Sequence, residues 1–239
     1  MSIRPFLLVM MWVLGLHLKI DFHVHTLYSD GTGSVKDVLR AAEHKGLDGL
    51  AITDHDTLEG YFEAKSYNNH LVVLPGYEIV TDAGHILVIG LERLPPNIGG
   101  KKPSSYESLI EWVRFNGGLS ILAHPAIGRL KMGRWMRCKP DAIEVLNASY
   151  PFYRLYVGRG LKVSSRLGVA GVGGSDAHNP LSIGDAYTVV EVAEEDSIIE
   201  AVKRGRVKYE GSLSSPKMRL KIGAAYLFSR ICSWLSLKS

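Results

Sequence analysis

Two cysteines in 239 residues, Cys138 and Cys232, build no disulfide framework, and their spacing fits no zinc finger or ribbon. So little thiol suits a reducing compartment, and the expected location is the cytoplasm. Long apolar runs are missing as well. The run Phe6 to Leu16 stops at eleven residues, short of the roughly 20 that cross a bilayer. Glycine (25) and proline (10) show no excess, which excludes collagen and low-complexity linker. No internal repeat is visible. Charge of one sign is also absent over most of the chain, although the net is +4. From Ala201 onward there are nine basic residues and one acid, a net of +8, whereas residues 1–200 carry 19 basic and 23 acidic side chains, a net of −4. The basicity belongs to the tail, so no stable reader of duplex DNA is expected.

What is present begins with order along the chain. Residues 1–17 form an apolar extension with the length of a signal-peptide core but no small-residue cleavage site behind it. Three readings stay open there: an extra buried element, a start site placed upstream of Met10 or Met11, or a membrane anchor. Residues 18–215 alternate strand-like and helix-like segments. Strands are expected at Leu18–His25, Leu50–Thr53, Val72–Leu74, His85–Ile89, Ser120–Ala123, Ala142–Val145, Val169–Gly173 and Tyr187–Val192. Helices are expected at Val35–Lys45 behind a Ser34 cap, Leu58–Asn68, Tyr106–Asn116 and Glu195–Arg204. This alternation predicts an α/β fold with a mostly parallel sheet, and the length favours a closed barrel. Residues 216–239 put Leu220, Ala224, Leu227, Ile231 and Trp234 on one helical stripe beside Lys217, Lys221 and Arg230. That pattern is a basic amphipathic helix, packed on the body or touching a membrane surface or partner.

Nine histidines are the informative abundance, and six lie at strand ends. His23 and His25 stand at i and i+2 on one strand, so both face one way, and Asp21 is expected on the same face. Asp30 follows in the loop Tyr28-Ser29-Asp30-Gly31. Thr53-Asp54-His55-Asp56 follows a short apolar strand, as do Gly76-Tyr77-Glu78, Ala123-His124-Pro125 and Gly174-Ser175-Asp176-Ala177-His178, and His85 opens a strand. One such residue is an ordinary cap or surface group. Five strand ends delivering His, Asp or Glu to one barrel mouth describe a metal site. The six imidazoles and three carboxylates form a nitrogen and oxygen donor set suited to zinc, manganese or iron(II).

These segments resemble the PHP (polymerase and histidinol phosphatase) family of metal-dependent phosphoesterases. The likeness rests on Asp21-Phe22-His23-Val24-His25 with Ser29-Asp30-Gly31, Thr53-Asp54-His55-Asp56, Glu78 with Gly84-His85, His124-Pro125, and Gly174-Ser175-Asp176-Ala177-His178. The resemblance implies a distorted (β/α)7 barrel with three divalent ions at the C-terminal mouth of its strands. It assigns His23, His25, Glu78 and Asp176 to the first ion, Glu78, His85 and His124 to the second, and Asp30, His55 and His178 to the third. His23, His25, Glu78, Asp176 and His178 would then serve catalysis, with Asp21 and Asp54 orienting ligand imidazoles.

The implied reaction is hydrolysis of a phosphate ester by a metal-activated hydroxide. Short members of the family act on nucleotides, removing phosphate from 3′,5′-bisphosphates or trimming short oligonucleotides 5′ to 3′. Only 39 positions separate His85 from His124, which leaves little room for the helical insertion those enzymes carry. Two alternatives follow: a phosphatase for a small metabolite such as histidinol phosphate, and a non-catalytic subunit of a nucleic-acid-processing assembly. The cationic stretch Gly128–Arg137 offers Arg129 and Arg134 as contacts for the substrate phosphate.

Overall fold

The structure, a computed structural model, describes residues 16–67, 70–96, 104–193, 196–217 and 219–220. The expected extension over residues 1–15 and the tail beyond residue 220 lie outside them. In chain order the elements are β1 (Leu16–Val24), α1 (Val35–His44), β2 (Gly49–Ile52), α2 (Glu59–Ser66), β3 (Val72–Thr81), β4 (Gly84–Ile89), α3 (Tyr106–Phe115) and β5 (Leu119–Leu122). Then come α4 (Met132–Arg137), β6 (Ala142–Asn147), α5 (Tyr153–Leu167), β7 (Ala170–Gly174), a 3₁₀ turn (Pro180–Ser182), β8 (Ala186–Val192), α6 (Ile198–Lys203) and β9 (Val207–Gly211).

The strands form one sheet in the order β7-β6-β5-β4-β3-β2-β1-β8-β9. It curls until β7 meets the other end. The Gly173 amide donates to Thr188 Oγ1 at 2.9 Å, and the Thr188 hydroxyl donates to the Gly173 carbonyl at 2.8 Å. Beyond β7, the amides of His25 and Ala177 donate to the carbonyls of Ala177 and His23. The result is a nearly closed, distorted α/β barrel. Its inside is filled by Ile20, Ala51, Leu87, Ile121, Ala142, Val172 and Val190, one from each of seven strands, with Ala201 and Val202 of α6 joining them.

Helices cover the outside. α1 starts on a reciprocal cap in which Ser34 and Asp37 satisfy each other's backbone amides, and it buries Val35, Val38, Leu39 and Ala42 on one face. α3 and α5 pack their apolar stripes on Tyr77, Ile86, Val88, Ile143 and Val145. Among the described residues no helix is long and apolar enough to cross a membrane.

The sheet departs from the mostly parallel expectation: β3–β4, β4–β5, β1–β8 and β8–β9 are antiparallel. β3 does not stop at Leu74 but runs through Pro75 and Gly76, changing partner there from β2 to β4. The two residues between β3 and β4 leave no room for a crossover helix, so the chain turns straight back, with Gly84 at φ 127°. Three elements are unannounced in the sequence reading: α4, α5 and β9. α5 contains Gly158 and Gly160, poor helix formers. Gly160 is demanded by packing, since a Cβ there would stand 3.1 Å from the Val145 backbone.

Candidate metal centre

All nine expected ligand residues come together at one end of the barrel. His23 and His25 end β1, and Asp30 lies in the loop behind them. His55 follows β2, His124 follows β5, and Asp176 and His178 follow β7. Glu78 sits inside β3 rather than after it. His85 reaches the same end because β4 runs antiparallel and presents its first residues there. His124 and Asp176 hold positive φ angles of 30° and 51°, and Asp56 beside His55 holds 56°. No other described non-glycine residue does so, and strain of this kind is kept where a side chain must be aimed.

Glu78 is the centre, with 2% of its side chain exposed. Its Oε1 lies 2.8 Å from His85 Nδ1 and 3.2 Å from His124 Nε2. Its Oε2 lies 3.2 Å from His23 Nε2, 3.3 Å from His25 Nε2 and 3.6 Å from His55 Nδ1. The carboxyl of Asp176 adds Oδ1 at 3.3 Å from His23 Nε2 and 3.5 Å from His178 Nδ1. Asp30 anchors an outer group, 3.2 Å from His178 Nε2, 3.6 Å from His55 Nε2 and 3.5 Å from His25 Nδ1. Four overlapping sets have ligand atoms close enough to share an ion: His25-Asp30-His55-His178, His23-His25-Glu78, His23-His124-Asp176 and Glu78-His85-His124.

The donor chemistry fits divalent cations. His23 Nε2 and His25 Nε2 face each other at 3.1 Å, and two neutral imidazole lone pairs so placed repel unless a cation lies between them. Protonation tells the same story. Burial works against a charged His23, yet Asp176, Glu144 and Glu78 raise its pKa well above the ordinary value. Burial would push Glu78 up, but charged His23 and bonds from His124, His23 and His25 hold it well below the carboxylate range. His178 rises to about 9 against its burial, through Asp30 and Asp176. The pocket calls for positive charge among its nitrogens. A set of imidazoles and carboxylates without thiolate meets that call with divalent metal ions.

Three neighbours of the site differ from expectation. Asp21 does not share the face of His23. β1 carries an irregularity between Asp21, opposite Leu50, and Val24, opposite Ile52. The extra residue reverses the alternation. The Asp21 carboxyl instead accepts the amides of His23, Ser175 and Gly184, tying β1 to the loops after β7, and burial raises it to about 6. Asp54 touches no imidazole either. It accepts the amide and hydroxyl of Thr26 at 2.7 and 2.6 Å and the Ser29 hydroxyl at 2.6 Å, shaping the loop that presents Asp30. Arg134 is not open to a phosphate, because its guanidinium is bound by Glu107 and Asp82. Arg129 is exposed on the loop after His124. The sequence reading missed Glu144, a buried carboxylate on β6 that contacts His23 and His124. Its one signal was an acid inside the apolar run Ala142–Leu146.

Comparison with known proteins agrees with this picture. A PHP domain matches residues 21–99, and a PHP-associated segment matches residues 158–207. The first holds His23, His25, Asp30, His55, Glu78 and His85, and the second Asp176 and His178. An uncharacterized protein of Methanocaldococcus jannaschii is 33% identical over 146 residues, spanning 55% of this chain and 82% of that protein. The phosphoribosyl 1,2-cyclic phosphate 1,2-diphosphodiesterase of Eggerthella lenta is 34% identical over 95 residues, 36% of each chain. A solved two-domain protein of Bacteroides vulgatus, predicted to contain a PHP-like metal-dependent phosphoesterase, superposes with a TM-score of 0.67 at 19% identity, over 83% of this chain and 66% of that one.

Proposed function

The chain belongs to the PHP family of metal-dependent phosphoesterases, and on that premise we propose that it hydrolyses a phosphate ester on a nucleotide at the Glu78 centre. The observation that carries this reading is the ring of five imidazoles around one buried carboxylate at the barrel mouth. Three divalent ions, manganese, zinc or iron, would sit there: His23, His25, Glu78 and Asp176 would hold one, Glu78, His85 and His124 another, and Asp30, His55 and His178 the third. Ions so held lower the pKa of water to about 7 and offset the charge that develops on phosphoryl oxygens.

The chain's own side chains divide the work by depth. His23 and His25 are sealed from water and set the inner wall. Asp30, His85, His55 and His178 are 55%, 34%, 30% and 25% exposed, so they form the rim that an ester arriving from solvent meets. The loop shaped by Asp54, Thr26 and Ser29 fixes Asp30 at that outer edge. Asn147 Nδ2 donates to Asp176 Oδ2 at 3.1 Å, leaving Oδ1 turned toward His23.

The nucleotide reading covers 3′,5′-bisphosphates and short 5′-phosphorylated oligonucleotides. A second reading is favoured by the short span between His85 and His124 and by the likeness to an enzyme named for a phosphoribosyl cyclic phosphate. It takes a small sugar or metabolite phosphate. One assay tests both: hydrolysis of a nucleotide bisphosphate, a short oligonucleotide, a ribose cyclic phosphate and histidinol phosphate with Mn²⁺, repeated for Asp176→Asn. Nucleotide turnover lost in the variant supports the first reading, and sugar-phosphate turnover alone supports the second. No turnover of any ester by a metal-loaded protein sinks both and favours a non-catalytic role.

A further inference from the structure

Glu144 stands in the middle of β6 with 1% of its side chain exposed. A carboxylate so deep is costly unless every lone pair finds a donor. Its donors are specific. His23 Nδ1 gives its proton to Oε1 at 3.0 Å, and the His124 amide and Asn147 Nδ2 donate to Oε2 at 2.7 and 2.9 Å. Asn147 in turn donates to Asp176 Oδ2 at 3.1 Å. Space has been cleared for this carboxylate, since a Cβ on Gly174 would stand 2.7 Å from Oε1.

The residues touched are His23 directly, His124 through its backbone and Asp176 through Asn147. These three are also one of the four sets whose ligand atoms lie close enough to share an ion. Each contact answers a particular need. A carboxylate at Nδ1 fixes the His23 tautomer, so the lone pair sits on Nε2, facing Glu78 and Asp176. The amide bond restrains His124 at its positive φ of 30°. The Asn147 bridge settles which oxygen of Asp176 turns inward, on a residue that also holds positive φ.

We infer that Glu144, with Asn147, is the positioning residue for the inner ligands His23, His124 and Asp176, and that it governs the affinity of the inner ions those residues would hold. The inference rests on the metal centre proposed above and adds which buried carboxylate positions its inner ligands. The outer set of His25, Asp30, His55 and His178 makes no bond to Glu144, so its ion stays when Glu144 is changed.

The test uses Glu144→Gln, which keeps the shape but offers one acceptor oxygen in place of two. Either His23 Nδ1 or the His124 amide then loses its partner. Titration with Co²⁺ or Mn²⁺, with metal content per chain read in parallel, is expected to show the inner ions bound about 10- to 100-fold more weakly while the outer ion is unchanged. Imidazole nitrogen NMR of the Zn²⁺-loaded protein is expected to show His23 in the Nδ1–H form in wild type, with that signal altered in the variant. Asn147→Ala is expected to weaken the inner ions by a smaller factor, and Glu144→Asp to recover part of the loss. Unchanged affinity and an unchanged His23 tautomer in a folded Glu144→Gln would overturn the inference and leave the metal centre standing. A wild-type protein that binds no divalent ion would bring down both.

Discussion

The two ends of this barrel invert the usual signs of a binding site. At the end where strands β5, β6 and β7 begin, an open cleft of about 530 Å³ is lined by Arg114, Lys139, Asp141, Lys203 and Arg204. It is concave, cationic and open to solvent. Its charges are largely accounted for: Arg114 and Lys203 stand in the last turns of α3 and α6 with Arg204 just behind, where cations answer helix dipoles, and Arg204 also pairs with Asp196. The opposite end gathers six imidazoles and three carboxylates with their ligand atoms close together. Concavity and positive charge mark surface here. Buried convergence of opposite donors marks chemistry, and the cation that completes it is invisible to residue counting.

Four expected outcomes sharpen that contrast, in falling order of effect. Glu78→Gln removes the carboxylate shared by five imidazoles, so turnover of whichever ester the panel identifies should fall on the order of 10³-fold, several kcal/mol of transition-state stabilisation. Chelation comes next. An ion present at about 100 times its Kd contributes about 2.7 kcal/mol, so removing each ion should lower the midpoint of thermal unfolding by roughly 5–10 °C. At the far end, Lys139→Ala combined with Arg204→Ala should leave metal content unchanged and turnover within about twofold, as surface cations of this kind carry little. A larger loss would mean the two ends are coupled and the contrast is false. The smallest effect is on acid stability. Arg134 holds the Glu107 carboxyl down at about 2 against an ordinary 4.5, so its contribution is complete above about pH 4.5 and fades as pH falls toward 2. Glu107→Gln should flatten that slope in urea unfolding curves and leave turnover untouched.

Much of the site was legible because a metal centre leaves an unusual mark: polar ligands set directly against apolar strands, repeated around the barrel. The Ser34 cap of α1 was legible for a similar reason, since a local rule decides it. What escaped was set by tertiary contact. Asp21 follows the i, i+2 rule on paper, but the irregularity in β1 turns it out of the barrel. β3 continues past Pro75 because β4 supplies a new partner. α5 looks too rich in glycine to be a helix until Gly160 is seen against Val145. Glu144 gave a single residue of signal, and only its partners from two other segments of the chain, with Asn147 beside it, show what it is for. Arg134 looked like a phosphate ligand because its two acids, Asp82 and Glu107, are distant in sequence.

The central claim is that the Glu78 ring holds divalent ions and hydrolyses phosphate esters with them. The most direct measurement is metal content and ester turnover on the same preparation, wild type beside Glu78→Gln, after reconstitution with Mn²⁺. Several ions per wild-type chain, fewer in the variant, and turnover lost with them is the predicted result. Equal metal content and equal turnover in the two proteins would contradict it.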